Sequence, residues 1–334
     1  MMKLLSALFL FAFNFSAQAT CEVKGPNVVM LTLDGVRNQE FFRGTDRFHR
    51  RKIARPQRGN ILTKFWKDHA QNGLVLGHQE SHTIASQVAI SLPSYQAIMT
   101  GHATECRKNS CGQVKEETIF DRLQKELKLS EKDLAIFASW QGMKYSVSKS
   151  PQNHQLFIYP DIVKSESLPK EILELQEKAM GDLPSWKESR KDHYTFEMGM
   201  NYLEKFCPRV LYISLVDSDE FGHANDYPGY VNSIKIYDDY IDRLISTLKK
   251  LGAYGEQTTL IVTTDHSRGE GLRWTSHGYN DNANKNVFLF ATGRGIKKVG
   301  KEKAVTSHSQ IKPTIEYLMG LKPEGEVLPF VEVK

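Results

Sequence analysis

A chain of 334 residues, 40% hydrophobic and 25% charged, can bury a sizeable core as one large domain or two modest ones. Its formal charge of +5 is only mildly basic, too little to point to a stable nucleic-acid partner. The four cysteines, Cys21, Cys106, Cys111 and Cys207, include no Cys-x-x-Cys pair, which argues against a thiolate zinc site.

Lys3, an apolar run over 4–15 and the small-x-small site Ala17-Gln18-Ala19 predict a secretory signal peptide over 1–19. That run is short for a bilayer span and no other stretch is long enough. The expected product is a periplasmic or secreted domain over 20–334, with no membrane span after cleavage. Export permits disulfides. Cys106 and Cys111 are close enough to close a small loop, and Cys21 and Cys207 each precede a predicted strand, but spacing does not choose among the three pairings.

Asn27–Leu33 is a near-continuous apolar run, as in a central parallel strand, and it ends at Asp34-Gly35. The segment 37–58 carries Arg37, Arg43, Arg47, Arg50, Arg51, Lys52, Arg55 and Arg58, and reads as a solvated insertion or as a lid that draws an anionic substrate. An amphipathic helix is expected over Asn60–Gln71 and a short strand over Leu74–Leu76. Ser94 is the expected cap of a helix that Gly101 stops, with Pro93 in its entry turn. Ser91 then stands at a helix N-terminus, where free N–H groups favour an anion.

Further on, a helix (Thr118–Leu127) and a strand (Leu134–Ser139) precede a polar insertion over 144–192, placed over the active face and holding a short helix at Lys170–Lys178. A helix over Tyr194–Phe206 leads to a strand, Arg209–Val216, that runs into Asp217-Ser218-Asp219. Tyr230–Leu251 has apolar residues at helical spacing. The β-branched strand Thr258–Thr264 ends in Asp265-His266. A strand at Asn286–Ala291 and a helix at Gln310–Met319 complete the chain. Strands alternating with helices predict an α/β fold, a three-layer α/β/α sandwich around a mostly parallel sheet.

Three predicted strands therefore end in carboxylates: Asp34, Asp219 and Asp265. His223 and His266 lie close by, and His277 follows in a glycine-bearing loop. Parallel strands would gather these groups at one sheet edge. Aspartate and histidine without cysteine suit zinc or manganese, and six such groups are too many for one tetrahedral ion but suit two. Ser91 adds a nucleophile of the kind that coordination to a cation activates. Asp217 is an alternative to Asp219.

In these motifs the chain resembles the alkaline phosphatase superfamily, most of all its nucleotide pyrophosphatase/phosphodiesterase and metalloenzyme branch. The likeness lies in the strand-end Asp34, in Ser91-Leu92-Pro93-Ser94 followed by a helix to Thr100-Gly101, in the Asp-x-x-Gly-His element at Asp219, Gly222 and His223, in Asp265-His266, and in His277-Gly278. It implies an alkaline phosphatase-like fold and two divalent ions, zinc first, with manganese or calcium as alternatives. One ion falls to Asp219, His223 and His277, the other to Asp34, Ser91, Asp265 and His266. The implied reaction is hydrolysis of a small-molecule phosphate ester or nucleotide-like substrate through a phosphoseryl intermediate on Ser91. Asn109 is the candidate for the asparagine with which that branch holds a phosphoryl oxygen. Two rival readings share the architecture: a sulfatase, whose Cys/Ser-x-Pro-x-Arg motif here has Tyr95 in place of arginine, and an envelope phosphoethanolamine-type transferase.

Overall fold

The structure, a computed structural model, describes residues 21–332 apart from 56–58, 79–81, 86, 151–154, 164 and 280. The leader expected over 1–19 and the basic stretch's last residue, Arg58, lie outside the described residues.

An eight-stranded sheet organises the chain. Its strands, in chain order, are β1 (Asn27–Leu33), β2 (Leu74–Leu76), β4 (Leu134–Ala138), β5 (Gln155–Ile158), β6 (Val210–Leu215), β7 (Thr258–Thr263), β9 (Leu289–Gly293) and β10 (Gly300–Lys301). Their spatial order is β10-β2-β9-β7-β1-β6-β4-β5. β5, β4, β6, β1 and β7 run parallel, and β9 is antiparallel to both β7 and β2. A small second sheet joins β3 (Thr83–Ile84), β8 (Asn286–Val287) and β11 (Thr306–Ser307).

Every residue of β1 is buried, because both faces of the sheet are covered. Val29, Leu31 and Leu33 point into one core and Val28 and Met30 into the other. The first core is closed by α5 (Asp192–Phe206) and α7 (Tyr227–Lys250), which contribute Phe196, Leu203, Ile234, Ile241 and Leu244. The second is closed by α2 (Ser91–Thr100), α3 (Ile119–Leu127) and α9 (Ile311–Leu318), through Ile98, Phe120 and Ile315. Further helices are α1 (Asn38–Arg43), α4 (Lys170–Gly181) and α8 (Ala253–Glu256), and the fold is thus the expected mixed α/β sandwich around a large, mostly parallel sheet. Local chemistry sets the helix ends. Thr118 and Asp121 form a reciprocal capping box at α3, and Asp226 caps α7 by accepting from the Gly229 N–H at 3.0 Å.

Four local expectations are corrected. The helix expected over Asn60–Gln71 forms later and not as an α-helix: a wide π-helical turn at Phe65–His69 is followed by a tight 3-10 turn at Ala70–Asn72. The carboxylate of Asp238, on α7, takes the N–H groups of Lys64 and Phe65 at 2.9 and 2.8 Å and fixes where that turn begins. The strand expected at Asn286–Ala291 divides, with β8 pairing to β3 and β9 to β2 and β7. The polar insertion supplies an edge strand, β5, that its composition hides. Finally, α2 starts at Ser91 with Ile90 as its cap residue. Ser94 lies inside the helix and donates to the Val88 carbonyl at 3.1 Å instead of capping.

The disulfides are Cys21–Cys207 and Cys106–Cys111, with Cα separations of 5.8 and 5.5 Å. Among the described residues no helix is long and apolar enough to cross a membrane. Cys21–Cys207 closes a loop of 186 residues. Replacing both partners with serine is expected to cost about 2–5 kcal/mol in a urea titration under non-reducing conditions.

Candidate metal centre

Strand register assembles the site. β1 lies between β7 and β6, with Thr32 paired to Thr263 and Leu33 to Leu215. Asp34 and Asp265 each stand two residues past the paired threonines, so they emerge side by side. On the other flank the chain leaves β6 at Leu215 and turns at once into α6 (Asp217–His223). The helix puts Asp219 and His223 four residues apart on one face.

Two compact donor sets result. Asp34, Asp265 and His266 form one, and Asp219, His223 and His277 the other; within each set one ligand atom per residue lies within 4.8 Å of the others. His266 Nε2 is 3.3 Å from Asp265 Oδ2 and 3.7 Å from Asp34 Oδ1. His223 Nε2 is 2.9 Å and His277 Nε2 4.0 Å from Asp219 Oδ2. The rings of His266 and His277 stack at 4.1 Å, bringing the two sets together. Ser91 Oγ lies 3.3 Å from His266 Nε2.

Backbone carbonyls fix the histidines. His266 Nδ1 faces the Ser267 carbonyl at 3.0 Å and His277 Nδ1 faces that of Ala89 at 2.8 Å. A proton on Nδ1 satisfies each bond and leaves Nε2 with a lone pair turned toward the site. Burial pushes both imidazoles down to about 3, so they are neutral near physiological pH.

The carboxylates are less content. Burial, followed by the charge of Asp265, raises the Asp34 carboxyl well above its ordinary value. Tyr95 donates to Asp34 Oδ2 at 3.0 Å and the Gly35 N–H to Asp265 Oδ1 at 3.2 Å. Asp34 Oδ1 and Asp265 Oδ2 are buried with no hydrogen-bond partner. Two orphaned acceptors beside a neutral imidazole lone pair are the donor set a divalent cation satisfies. The residues present therefore fit the ions implied by the sequence resemblance.

A cleft of about 420 Å³ opens onto Asp34, Ser91, Asp219 and His223. Asn109 stands at its edge, and its Oδ1 accepts the Leu92 N–H at 3.0 Å, in the first turn of α2. The 144–192 insertion brings Tyr145, Lys187 and Glu188 to the cleft, where Trp140 also lines it and bridges to Ser189. Asp217 lies outside both donor sets, its Oδ2 accepting the Asp192 N–H at 3.3 Å. The described residues of the basic segment do not line this cleft. Arg37 is buried against Glu40 and Asp46, while Arg43, Arg47 and Arg50 line a separate cavity of about 550 Å³. His102 is exposed, His82 lines that second cavity, His308 packs beside Thr263, and Trp274 is buried against Tyr227 and Tyr230. Sequence reasoning missed Arg268, which bonds to Asp219; its only signal was an arginine two residues beyond Asp265-His266.

Comparison with known proteins bears on the fold that carries this site. A model of the metalloenzyme superfamily matches residues 163–323, the stretch carrying Asp219, His223, Asp265, His266 and His277. An alkaline phosphatase superfamily protein from Vibrio parahaemolyticus superimposes with a TM-score of 0.57 at 16% identity, covering 91% of this chain and 68% of the other. Over 163–323 the chain is similar to that metalloenzyme superfamily, and over most of its length it shares the fold of this alkaline phosphatase superfamily structure. A phosphonate monoester hydrolase of Agrobacterium radiobacter gives a TM-score of 0.60 at 14% identity, over 92% of this chain and 77% of the other. A phosphopentomutase of Carboxydothermus hydrogenoformans is 28% identical over 144 residues, 42% of this chain and 34% of the relative. The chain thus spans about a third of the length of the phosphopentomutases it matches.

Gly35 lets the chain bring two donor sets so close. Its φ is +67°, and a Cβ there would stand 2.3 Å from Asp219 Oδ1. Gly35→Ala is expected to lose about 1–3 kcal/mol of stability, read as a lowered melting temperature. An unchanged melting temperature would contradict the close approach.

Proposed function

We propose that this chain is an exported two-ion hydrolase of phosphate esters that works through a phosphoseryl intermediate on Ser91. The observation that carries the reading is the pair of donor sets at one sheet edge with Ser91 Oγ 3.3 Å from His266 Nε2. Asp219, His223 and His277 would hold one divalent ion, and Asp34, Asp265, His266 and Ser91 the other. Such ions would supply Lewis acidity toward phosphoryl oxygens and make hydroxyl and water protons easier to lose near neutral pH.

The chain's own groups do the positioning. Ser91 is 6% exposed at the first turn of α2, so its hydroxyl is held by packing and faces the cleft. The amide ends of that turn favour the phosphoryl charge. Asn109 is anchored through its oxygen on the Leu92 N–H, which leaves its NH₂ group as the donor for a phosphoryl oxygen. Nucleophilic attack forms the Ser91 Oγ–P bond and breaks the ester P–O bond, releasing the alcohol. Water then cleaves the Oγ–P bond and frees phosphate and Ser91. Trp140, Tyr145 and Lys187 also line this cleft and would border the leaving group. Zinc is the first expectation for the ions, and the cleft suits a small-molecule ester.

The sulfatase reading ranks second, although sulfatases share the fold. Tyr95 occupies the place of the arginine in their nucleophile motif, and its hydroxyl is committed to Asp34.

The test is a panel of nitrophenyl phosphate, bis-nitrophenyl phosphate, a phosphonate monoester and nitrophenyl sulfate, with zinc-loaded protein. A phosphorus ester should be the best substrate and Ser91→Ala should remove at least about 1,000-fold in rate. Preference for the sulfate, or full activity in Ser91→Ala, would sink the proposal. Asn109→Ala should lower kcat by about 100–1,000-fold, the usual loss for one charge-stabilising donor. Chelation should abolish turnover, and adding zinc back should restore it.

A further inference from the structure

Arg268 is buried, 1% exposed, and has no part in the chemistry above. Its guanidinium is fully engaged. Nε donates to the Trp274 carbonyl at 3.0 Å, Nη2 to the Thr275 carbonyl at 2.5 Å, and Nη1 to Asp219 Oδ1. Arg268 thus stands two residues past His266, grips the loop just ahead of His277, and holds Asp219 on α6. One side chain ties together three ligand-bearing segments.

The two oxygens of Asp219 are divided. Oδ1 meets Arg268, while Oδ2 faces His223 Nε2 at 2.9 Å and His277 Nε2 at 4.0 Å. A carboxylate can turn freely about its terminal torsion, which is broad and roughly two-fold. A planar guanidinium anchored at Nε and Nη2 removes that freedom.

Gly222 makes room for this. It lies in the Asp219–His223 turn of α6, and a Cβ there would stand 2.6 Å from both Cζ and Nε of Arg268. The small residue between the two ligands is what lets the guanidinium lie against the helix.

Granted the two-ion reading above, we infer that Arg268 is a positioning residue. It occupies one oxygen of Asp219 and so presents the other as a single-oxygen ligand to the ion shared with His223 and His277. Gly222 is the gap that admits it. Arg268 touches neither Ser91 nor any group proposed to touch substrate; it acts through Asp219.

The test counts metal as well as turnover. Full-length wild type, Arg268→Gln, Arg268→Lys, Gly222→Ala and the Gly222→Ala/Arg268→Gln double variant are loaded with zinc and passed through gel filtration. Bound zinc is measured by mass spectrometry, and affinity by chelator competition. Wild type should hold two ions. Arg268→Gln and Gly222→Ala should keep the ion of Asp34, Asp265 and His266 and bind the second about 10–100-fold more weakly. Arg268→Lys should fall between, because one ammonium cannot reproduce the fork. The double variant should be no worse than either single change, since both remove the same contact.

Gly222→Ala protects the test against simple unfolding. Its new methyl meets the end of the Arg268 side chain rather than backbone, so the guanidinium and its bonds to Asp219 must shift before the helix does. A folded Gly222→Ala protein with two ions at wild-type affinity would overturn the assignment, as would additive losses in the double variant. Unfolded Arg268→Gln beside an unaffected Gly222→Ala would also overturn it, marking Arg268 as a core residue only. Wild type holding fewer than two ions would be a different failure, that of the two-ion reading itself.

Discussion

The parallel pairing of β1 with β7 on one side and β6 on the other is the constraint on which the site rests. Backbone hydrogen bonds set the register, and the register decides which side chains leave the sheet at the same height. A one-residue slip of β7 against β1 would turn Asp265 to the opposite face and separate it from Asp34. The two cores that bury alternate residues of β1 forbid that slip, because it would drive apolar side chains onto the wrong layer. The packing of the interior and the placing of the carboxylates are therefore one structural fact.

The same burial sets the electrostatics. Side-by-side carboxylates in a low-dielectric edge are costly without a cation, and both retain an unsatisfied oxygen. The histidines answer differently. Burial makes them neutral, and carbonyls hold their outer nitrogens, so their cost is small and their lone pairs are aimed. A fold that tolerates this arrangement is organised for charge brought from outside.

Much of this is legible in the amino-acid order, for a physical reason. Central strands are short apolar runs, and a carboxylate ending such a run has few places to go. That is why Asp34 and Asp265 can be assigned to the sheet edge from their chain neighbours alone. Asp219 is harder, since nothing in Asp217-Ser218-Asp219 says that a helix begins there and selects the second acid over the first. Arg268 is out of reach because its partner lies 49 residues away in sequence and the two meet only after α6 has packed. The wide turn at Phe65–His69 is equally hidden: its start is dictated by Asp238, a residue of another element. The basic run at 37–58 misleads in a simpler way. Composition gives the charge of a segment but not the side of the sheet edge on which it settles.

The Cys106–Cys111 bridge encloses Asn109, the residue proposed to face the phosphoryl oxygen, in a ring closed over five positions. The loop that carries this amide to the start of α2 is thus fastened by a bond that forms only where thiols are oxidised. A reduced chain could build the sheet and both donor sets and still leave this donor loosely held. The compartment in which the chain matures would then act on its chemistry directly, through one small covalent loop.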